Sequence, residues 1–291
     1  MFSPYANIGA TRDVLQPFDM HTTKILGQNF LVNDNVVGHI LALANISSDD
    51  IVLEVGPGIG TLTYALCNSA GQVVAIERDM RLPRVLEHTL ASCDNFTLVS
   101  ADALSYDISK LHKQPTMLVA NLPYAVAATL VLKYFQEIGS LQSATVMVQK
   151  EVALRMAACP GNKNYGAYTV KLSLYAQIED HFDVAPGNFF PQPHVMSSVV
   201  HIVRKPMAPE DSSRILRMAA LLADASFAQR RKTIYNSLRA YAASNATLAR
   251  YGLDKADNVR MLLEKAEITP DIRAEKLHPS DFLKMAHIIL S

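Results

Sequence analysis

The chain has 291 residues, of which 49% are hydrophobic, enough for one large domain with a substantial core and a smaller second one. Its 27 basic and 27 acidic residues cancel, which excludes a basic surface spread over the whole protein and leaves only a local patch for nucleic acid. No apolar run approaches the roughly 20 residues of a membrane-spanning helix, and no secretory signal is recognisable, so we expect a cytoplasmic protein without a membrane partner.

From residue 51 to about residue 149, short apolar runs alternate with longer helical patterns, which indicates a parallel sheet covered by helices. Each strand candidate is a mostly apolar run, as expected for strands buried on both faces. The predicted strands are Ile51–Val55, Gln72–Glu77, Phe96–Ser100, Thr116–Ala120 and Ala144–Gln149, and the predicted helices are Thr61–Asn68, Met80–Leu90 and Ala125–Ile138.

The sequence pattern changes in the last third of the chain. Gln177–Val184 and Ser197–Val203 are rich in β-branched residues and are predicted to close the sheet as an antiparallel pair. After Arg204, the run Lys-Pro-Met-Ala-Pro-Glu interrupts regular structure, and the remaining sequence is helical in pattern. We therefore predict an α/β domain followed, from about Pro206, by a small all-helical domain.

A glycine-rich turn follows the first predicted strand. Gly56, Gly58 and Gly60 permit backbone angles and close approaches that a Cβ would forbid. Such a turn alone is weak support for a binding site, because many α/β turns carry glycines for structural reasons. Its spacing differs from the dinucleotide-binding pattern and it contains Pro57, which favours a nucleoside without phosphate, such as S-adenosylmethionine.

Acidic residues stand at the ends of the next two predicted strands. Glu77 ends the second strand, where an acidic side chain accepts hydrogen bonds from ribose hydroxyls. Asp102 follows the third strand and is placed to accept a hydrogen bond from an adenine amine. Because ligands bind at the carboxyl edge of an open α/β sheet, both residues are candidate cofactor ligands.

The fourth predicted strand ends in Asn121-Leu-Pro-Tyr124, the most specific motif in the sequence. Methylation of an aromatic amine needs acceptors that pull on its hydrogens as the nitrogen becomes tetrahedral. The Asn121 side-chain oxygen and the Leu122 carbonyl are candidate acceptors, Pro123 fixes the turn and removes a competing donor, and Tyr124 is predicted to stack on a flipped-out adenine.

The chain offers several small basic clusters and no metal-binding pattern. Arg230, Arg231 and Lys232 form the best candidate for an RNA-binding patch, although such clusters are more often solvated surface. The three cysteines are widely separated and the histidines lie outside any metal-binding motif, so neither a metal nor a disulfide is expected.

These motifs together resemble the KsgA-type ribosomal RNA adenine dimethyltransferases, a family related to the macrolide-resistance methylases. The resemblance covers nearly the whole chain. Besides the glycine turn and Asn121–Tyr124, it rests on Leu26-Gly-Gln-Asn-Phe-Leu31, Gln149-Lys-Glu-Val152, Asn188-Phe-Phe-Pro-Gln-Pro193 and Phe227-Ala-Gln-Arg-Arg-Lys-Thr233.

The resemblance implies a role for individual residues. Asn121 closes the cofactor site and faces the target amine, and Phe189 is a second aromatic surface opposite Tyr124 on the flipped base. The residues implied to contact S-adenosylmethionine are Asn29, Leu31, Gly56, Gly58, Glu77, Asp102 and Asn121.

The resemblance also implies the architecture and the reaction. Residues 1–205 form a Rossmann-like S-adenosylmethionine-dependent methyltransferase domain whose segment 1–45 packs on the cofactor site, and residues 206–291 form a helical domain that contacts RNA or the ribosome. The reaction places two methyl groups on each of two adjacent adenosines near the 3′ end of small-subunit ribosomal RNA. We expect a monomer acting on an assembling small subunit.

Three departures from the family pattern leave this chemistry intact. The segment His21–Leu26 is less basic than usual, Ala125 follows Tyr124 where a larger or polar residue is frequent, and His194 replaces a frequent lysine.

Other functions remain open at this stage. A macrolide-resistance methylase of large-subunit RNA, a catalytically silent ribosome-assembly or RNA-binding factor and a DNA adenine methylase share parts of the pattern. Leu122 and the Arg-Arg-Lys cluster favour the small-subunit enzyme, the complete set of cofactor ligands disfavours a silent factor, and the single Pro123 disfavours a DNA methylase.

Overall fold

The structure is a computed structural model that describes residues 1–18 and 29–291, so the segment His21–Leu26 lies outside the described residues. None of the described helices is long and apolar enough to cross a membrane. Helices α1–α12 span, in order, Ile8–Leu15, Asp34–Ala44, Thr61–Cys67, Leu82–Thr89, Ala127–Glu137, Lys150–Met156, Ala167–Ser173, Ser213–Phe227, Ile234–Ala242, Ala246–Arg250, Ala256–Lys265 and Pro279–Leu290. Strands β1–β9 span, in order, Phe30–Leu31, Ile51–Val55, Gln72–Glu77, Phe96–Ser100, Met117–Asn121, Ser143–Gln149, Ala176–Val184, Phe189–Phe190 and Ser197–Arg204.

The chain forms two compact units that do not divide at a single point. The first contains Met1–Ala153 and Ile178–Arg204, and the second contains Leu154–Gln177 and Lys205–Ser291. The chain passes from the first unit to the second for the last time at Lys205, beside the boundary predicted near Pro206. Residues 154–177 also belong to the second unit, because Tyr165 and Val170 are buried in its apolar cluster. The assignment of residues 206–291 to an RNA-contacting domain stays a prediction.

The first unit is built on a seven-stranded sheet with the order β4-β3-β2-β5-β6-β9-β7. Strands β2 to β6 pair in parallel, and β9 pairs with β6 in the antiparallel direction, so the predicted α/β fold is confirmed. Residues on β2, β3 and β5, such as Val52, Val73 and Val119, are fully buried, which is the reason these strands are continuous apolar runs.

The strand order reverses at β2, which has β3 on one side and β5 on the other. A reversal of this kind leaves a crevice at the carboxyl ends of the strands, because the following segments turn to opposite faces of the sheet. At this position the turn after β2 and the turn after β5 become neighbours. The fold therefore brings Gly56 and Asn121, 65 residues apart in sequence, to one edge of the sheet.

The second unit is a helical domain with its own core. Leu222, Leu238, Leu263 and Phe282 are fully buried in a single apolar cluster. The Tyr165 hydroxyl donates a hydrogen bond of 2.8 Å to the Leu277 carbonyl, which satisfies the polar end of a buried ring. This unit is closed by helix packing alone and contributes no strand beyond the first two residues of β7.

We predict that Gly60→Ala destabilises the first unit. Gly60 is the residue immediately before α3 and has a φ of +88°. A Cβ at this position would lie 3.1 Å from Thr89 Oγ1 and 3.2 Å from Leu90 Cδ2. Left-handed strain with crowding should lower the free energy of unfolding by about 1–3 kcal/mol, measured by denaturant unfolding followed by circular dichroism. The control Gly139→Ala places its Cβ in open space and should change the unfolding free energy by less than about 0.5 kcal/mol. Equal losses in the two variants would contradict the prediction.

Candidate active site

A cavity of about 860 Å³ lies in the first unit, at the carboxyl ends of the central strands. Its walls come from the segment that precedes α2, from the turns after β2, β3 and β5, and from the end of β6. The lining residues include Asn29, Phe30, Leu31, Glu54, Gly56, Gly58, Thr61, Glu77, Arg78, Asn121, Leu122, Pro123, Tyr124 and Gln149. The structure thus brings together most of the residues predicted for the site, including those from segments distant in sequence.

The glycine turn allows close contacts on two sides of the cavity. Gly56 and Gly58 have φ of +73° and +61°, in the region that favours glycine. A Cβ on Gly56 would lie 3.5 Å from Pro123 Cγ, and one on Gly58 would lie 3.1 Å from the Phe30 ring. The turn therefore packs against both the Asn121–Tyr124 turn and the segment 29–31.

The Asn121–Tyr124 turn is tied to its surroundings by three hydrogen bonds. The Asn121 amide Nδ2 donates to the Asn29 carbonyl at 3.2 Å, and the Leu122 N–H donates to the Met147 carbonyl at 3.1 Å. The Tyr124 hydroxyl lies 2.6 Å from Ser197 Oγ. Because Nδ2 is engaged by Asn29, the Asn121 side chain keeps its oxygen as an acceptor. Its role toward an amine stays a prediction.

Two buried acidic residues, Glu54 and Glu77, form an acidic wall of the cavity. Glu54 is almost completely buried, and burial, with the charge of Glu77 nearby, raises the pKa of its carboxyl to about 8. Glu54 Oε2 accepts no hydrogen bond from the described residues. Burial also raises the pKa of Glu77, although the Asp79 N–H donates to its Oε1 at 2.8 Å. With a pKa of about 8, Glu54 is protonated at neutral pH, so this wall suits a ligand that forms hydrogen bonds with its carboxyl groups.

Asp102 is placed less favourably than predicted. Its Oδ1 accepts a hydrogen bond of 2.9 Å from the Leu104 N–H, and its Oδ2 lies 3.5 Å from the Arg78 guanidinium. The neighbouring Ala103, not Asp102, is among the residues that line the cavity. A role for Asp102 with adenine stays a prediction.

Phe189 requires a correction. The sequence motif predicted an aromatic surface facing the base, but only 1% of Phe189 is exposed and the ring packs in the core with Val184 and Val199. The reason is the short antiparallel pair β1–β8, in which Phe189 lies opposite Leu31 and points inward. The adjacent Phe190 is only partly buried, and the Arg12 guanidinium lies 5.1 Å from the centre of its ring.

The predicted RNA-binding cluster lies in the second unit. Arg230, Arg231 and Lys232 are exposed in the turn between α8 and α9, and Arg230 donates a hydrogen bond of 2.8 Å to the Lys163 carbonyl. Within residues 1–18 and 29–291, no group of histidine, cysteine or acidic side chains has the arrangement of a metal site.

The sequence interpretation missed Glu54, Gln149 and Ser197. Glu54 left a signal, since a carboxylate inside an apolar strand that leads into a glycine turn is unusual in a buried position. Gln149 lines the cavity at the end of β6, and Ser197 reaches Tyr124 across 73 residues of sequence. Gln149 belongs to a motif that supports the resemblance but was assigned no role, and Ser197 carried no local signal.

Comparison with known proteins gives consistent matches. The family described as ribosomal RNA adenine dimethylase matches residues 20–288. The chain is 40% identical over 288 residues to "Ribosomal RNA small subunit methyltransferase A" of Magnetococcus marinus, covering 97% of both chains. It is 41% identical to the protein of that name from Rhodococcus opacus, covering 94% of this chain and 91% of the relative.

Two solved structures resemble the chain. A dimethyladenosine transferase from Plasmodium falciparum has a TM-score of 0.70 and 26% identity, with 88% of this chain and 95% of that one covered. The 23S rRNA methyltransferase ErmE has a TM-score of 0.66 and 24% identity, with 90% and 100% covered, and shows the fold alone.

We predict that Glu54→Gln stabilises the protein in a pH-dependent way. The folded-state pKa near 8 exceeds the ordinary value of 4.5, so the folded chain keeps a proton that the unfolded chain releases. The stability of the unsubstituted protein therefore falls as pH rises from about 4.5 to 8, while the variant lacks this loss. At pH 7 the variant should be more stable by on the order of 3 kcal/mol, and by much less at pH 4.5.

Denaturant unfolding across this pH range checks the prediction. The control Glu87→Gln removes an exposed carboxylate from α4 and should not reproduce the growing difference. A constant offset between Glu54→Gln and the unsubstituted protein at all pH values would show that Glu54 is ionised in the folded state.

Proposed function

The chain belongs to the ribosomal RNA adenine dimethylase family, and from this membership we propose that it transfers methyl groups from S-adenosylmethionine to two adjacent adenosines near the 3′ end of small-subunit ribosomal RNA. The observation that carries the proposal is the contact between the glycine turn and the Asn121–Tyr124 turn within one cavity. It places a candidate cofactor cradle directly beside candidate acceptors for an amine.

The cavity residues fit the proposed cofactor. When bound, S-adenosylmethionine supplies a methyl group on a positively charged sulfonium. Gly56 and Gly58 line the cavity with backbone angles that favour glycine, and Glu54 Oε2, which has no hydrogen-bond partner among the described residues, suits a ligand that carries a hydrogen-bond donor. In this proposal Glu77 binds ribose, Asp102 binds adenine, and Asn29, Leu31 and Gly58 complete the walls.

The Asn121–Tyr124 turn holds the target base and accepts hydrogen bonds from its amine. The Asn121 oxygen and the Leu122 carbonyl accept hydrogen bonds from the amine N–H groups, so that the nitrogen lone pair becomes available for attack on the methyl group. Tyr124 stacks on the adenine face. No ionisable base is needed, because the methylated nitrogen becomes acidic and loses its proton to water.

The choice of substrate follows the relatives. Relatives named as small-subunit methyltransferases are about 40% identical to this chain over nearly its full length. The resemblance to the large-subunit enzyme is a likeness of fold. We therefore favour small-subunit RNA over the macrolide-resistance reaction. The proposal includes an assembling small subunit as the substrate, a monomeric enzyme and a cytoplasmic location.

We predict that Asn121→Ala loses turnover far more than binding. With saturating S-adenosylmethionine and small subunits lacking the modification, single-turnover methylation should slow by about 10²–10³, as for loss of one preorganised polar group. RNA affinity should change much less. The control Asn35→Ala removes an exposed amide from α2 and should keep the unsubstituted rate.

One result would overturn this function, and another would overturn only the role of Asn121. Absence of dimethyladenosine in RNA treated with the unsubstituted protein would exclude the reaction itself. A near-normal rate in Asn121→Ala would leave the reaction but remove the proposed role of the side-chain oxygen.

We also predict that Arg230, Arg231 and Lys232 contact phosphate. Replacing all three with Gln should weaken RNA binding and make the dependence of log affinity on log salt concentration shallower by about 2 units. Binding of S-adenosylmethionine, measured by calorimetry, should be unchanged.

A matched variant separates contact from general charge. Arg250, Lys255 and Lys265 are exposed basic residues of the same unit, and replacing these three with Gln removes the same charge. The two triple variants should differ clearly in salt dependence. Equal changes would identify Arg230–Lys232 as ordinary solvated surface.

A further inference from the structure

The Tyr124 ring is held at both ends. At its backbone end, Val126 N–H donates to the Pro123 carbonyl at 3.1 Å, which closes the turn around the tyrosine. At its other end, the hydroxyl lies 2.6 Å from Ser197 Oγ. Ser197 is completely buried, whereas Tyr124 is partly exposed and lines the cavity. The ring thus borders the cavity while its hydroxyl is fixed in the interior.

The sheet register explains why Ser197 reaches this position. Ser197 is the first residue of β9 and lies opposite Gln149, the last residue of β6, which lines the cavity. Side chains of directly opposed residues project from the same face of a sheet. Ser198 therefore projects from the other face, where its hydroxyl donates to Asp183 Oδ1 at 2.6 Å. The alternation of the strand directs one of two adjacent serines to the tyrosine.

A fixed ring lowers the conformational entropy that is lost when a base stacks on it. A tyrosine side chain turns about two torsions, and a base that stacks on a free ring must first restrict both of them. The hydrogen bond to Ser197 restricts them before the base arrives. Because Ser197 is buried, contacts the hydroxyl end of the ring and does not line the cavity, it is placed to act on the base through Tyr124.

We propose that Ser197 is a positioning residue for the adenine that receives the methyl group. It holds the Tyr124 ring in the orientation that stacks on this base. This inference rests on the proposed function. It assigns the tyrosine hydroxyl a role separate from that of the ring, and it accounts for a buried serine at the start of β9.

A double-variant cycle tests the proposal. Ser197→Ala and Tyr124→Phe remove the two sides of one hydrogen bond, so each should lower kcat/KM for the RNA by about three- to tenfold at saturating S-adenosylmethionine. The double variant should show the loss of one single variant, not the product of both. The KM for S-adenosylmethionine should stay unchanged in all three.

Ser198→Ala is the matched control. Ser198 is as buried as Ser197, and Ser198→Ala removes a charge-assisted hydrogen bond to Asp183, so it should lower the melting temperature at least as much as Ser197→Ala. Its kcat/KM for RNA should stay at the unsubstituted level, and it should leave the effect of Tyr124→Phe unchanged. If Ser197→Ala melts too early to assay, Tyr124→Phe decides the matter alone, since it keeps Ser197 and must still show the three- to tenfold loss.

The outcomes are distinct. Multiplicative losses in the double variant, or unchanged kcat/KM in Tyr124→Phe, would overturn the positioning role while leaving the proposed function in place. An unsubstituted protein that fails to methylate RNA would overturn both.

Discussion

The active cavity depends on the contact between Gly56 and Pro123, because it fixes the distance between the turns after β2 and β5. A Cβ built on Gly56 would be in ordinary van der Waals contact with the proline ring, 3.5 Å from its Cγ, so the two turns are immediate neighbours. The reversal of strand order at β2 brings them to the same edge. The φ of +73° at Gly56 lies in the region that favours glycine, so a larger residue would strain the turn that forms the candidate cofactor cradle.

The remaining walls are tied to this contact by bonds from distant segments. Asn121 binds the Asn29 carbonyl, and Tyr124 binds Ser197, so the turn after β5 is held from both the N-terminal and the antiparallel parts of the unit. Preorganised groups contribute most to catalysis when they need not reorient as charge develops. The fold therefore supplies rigidity at the position where the proposed chemistry requires it.

Sequence reasoning predicted the elements whose signals are local. Strands β2, β3 and β4 have the predicted bounds because each is a run between turns, and β5 extends to Asn121 because that residue pairs with Met147. The remaining features are set by tertiary contacts. Phe189 points inward through its pairing with Leu31, and residues 154–177 join the helical unit by long-range packing. Patterns along the chain do not encode such partners.

The protonated Glu54 also couples ligand loading to proton release. A cation bound near this carboxylate favours its ionised form and lowers its pKa from about 8. At a pH below that value, loading releases a fraction of a proton that depends on how far the pKa falls, so affinity for a cationic ligand increases with pH. The heat of loading would then depend on the ionisation enthalpy of the buffer, and the number of protons released would report how closely the charge of the ligand approaches the acidic wall.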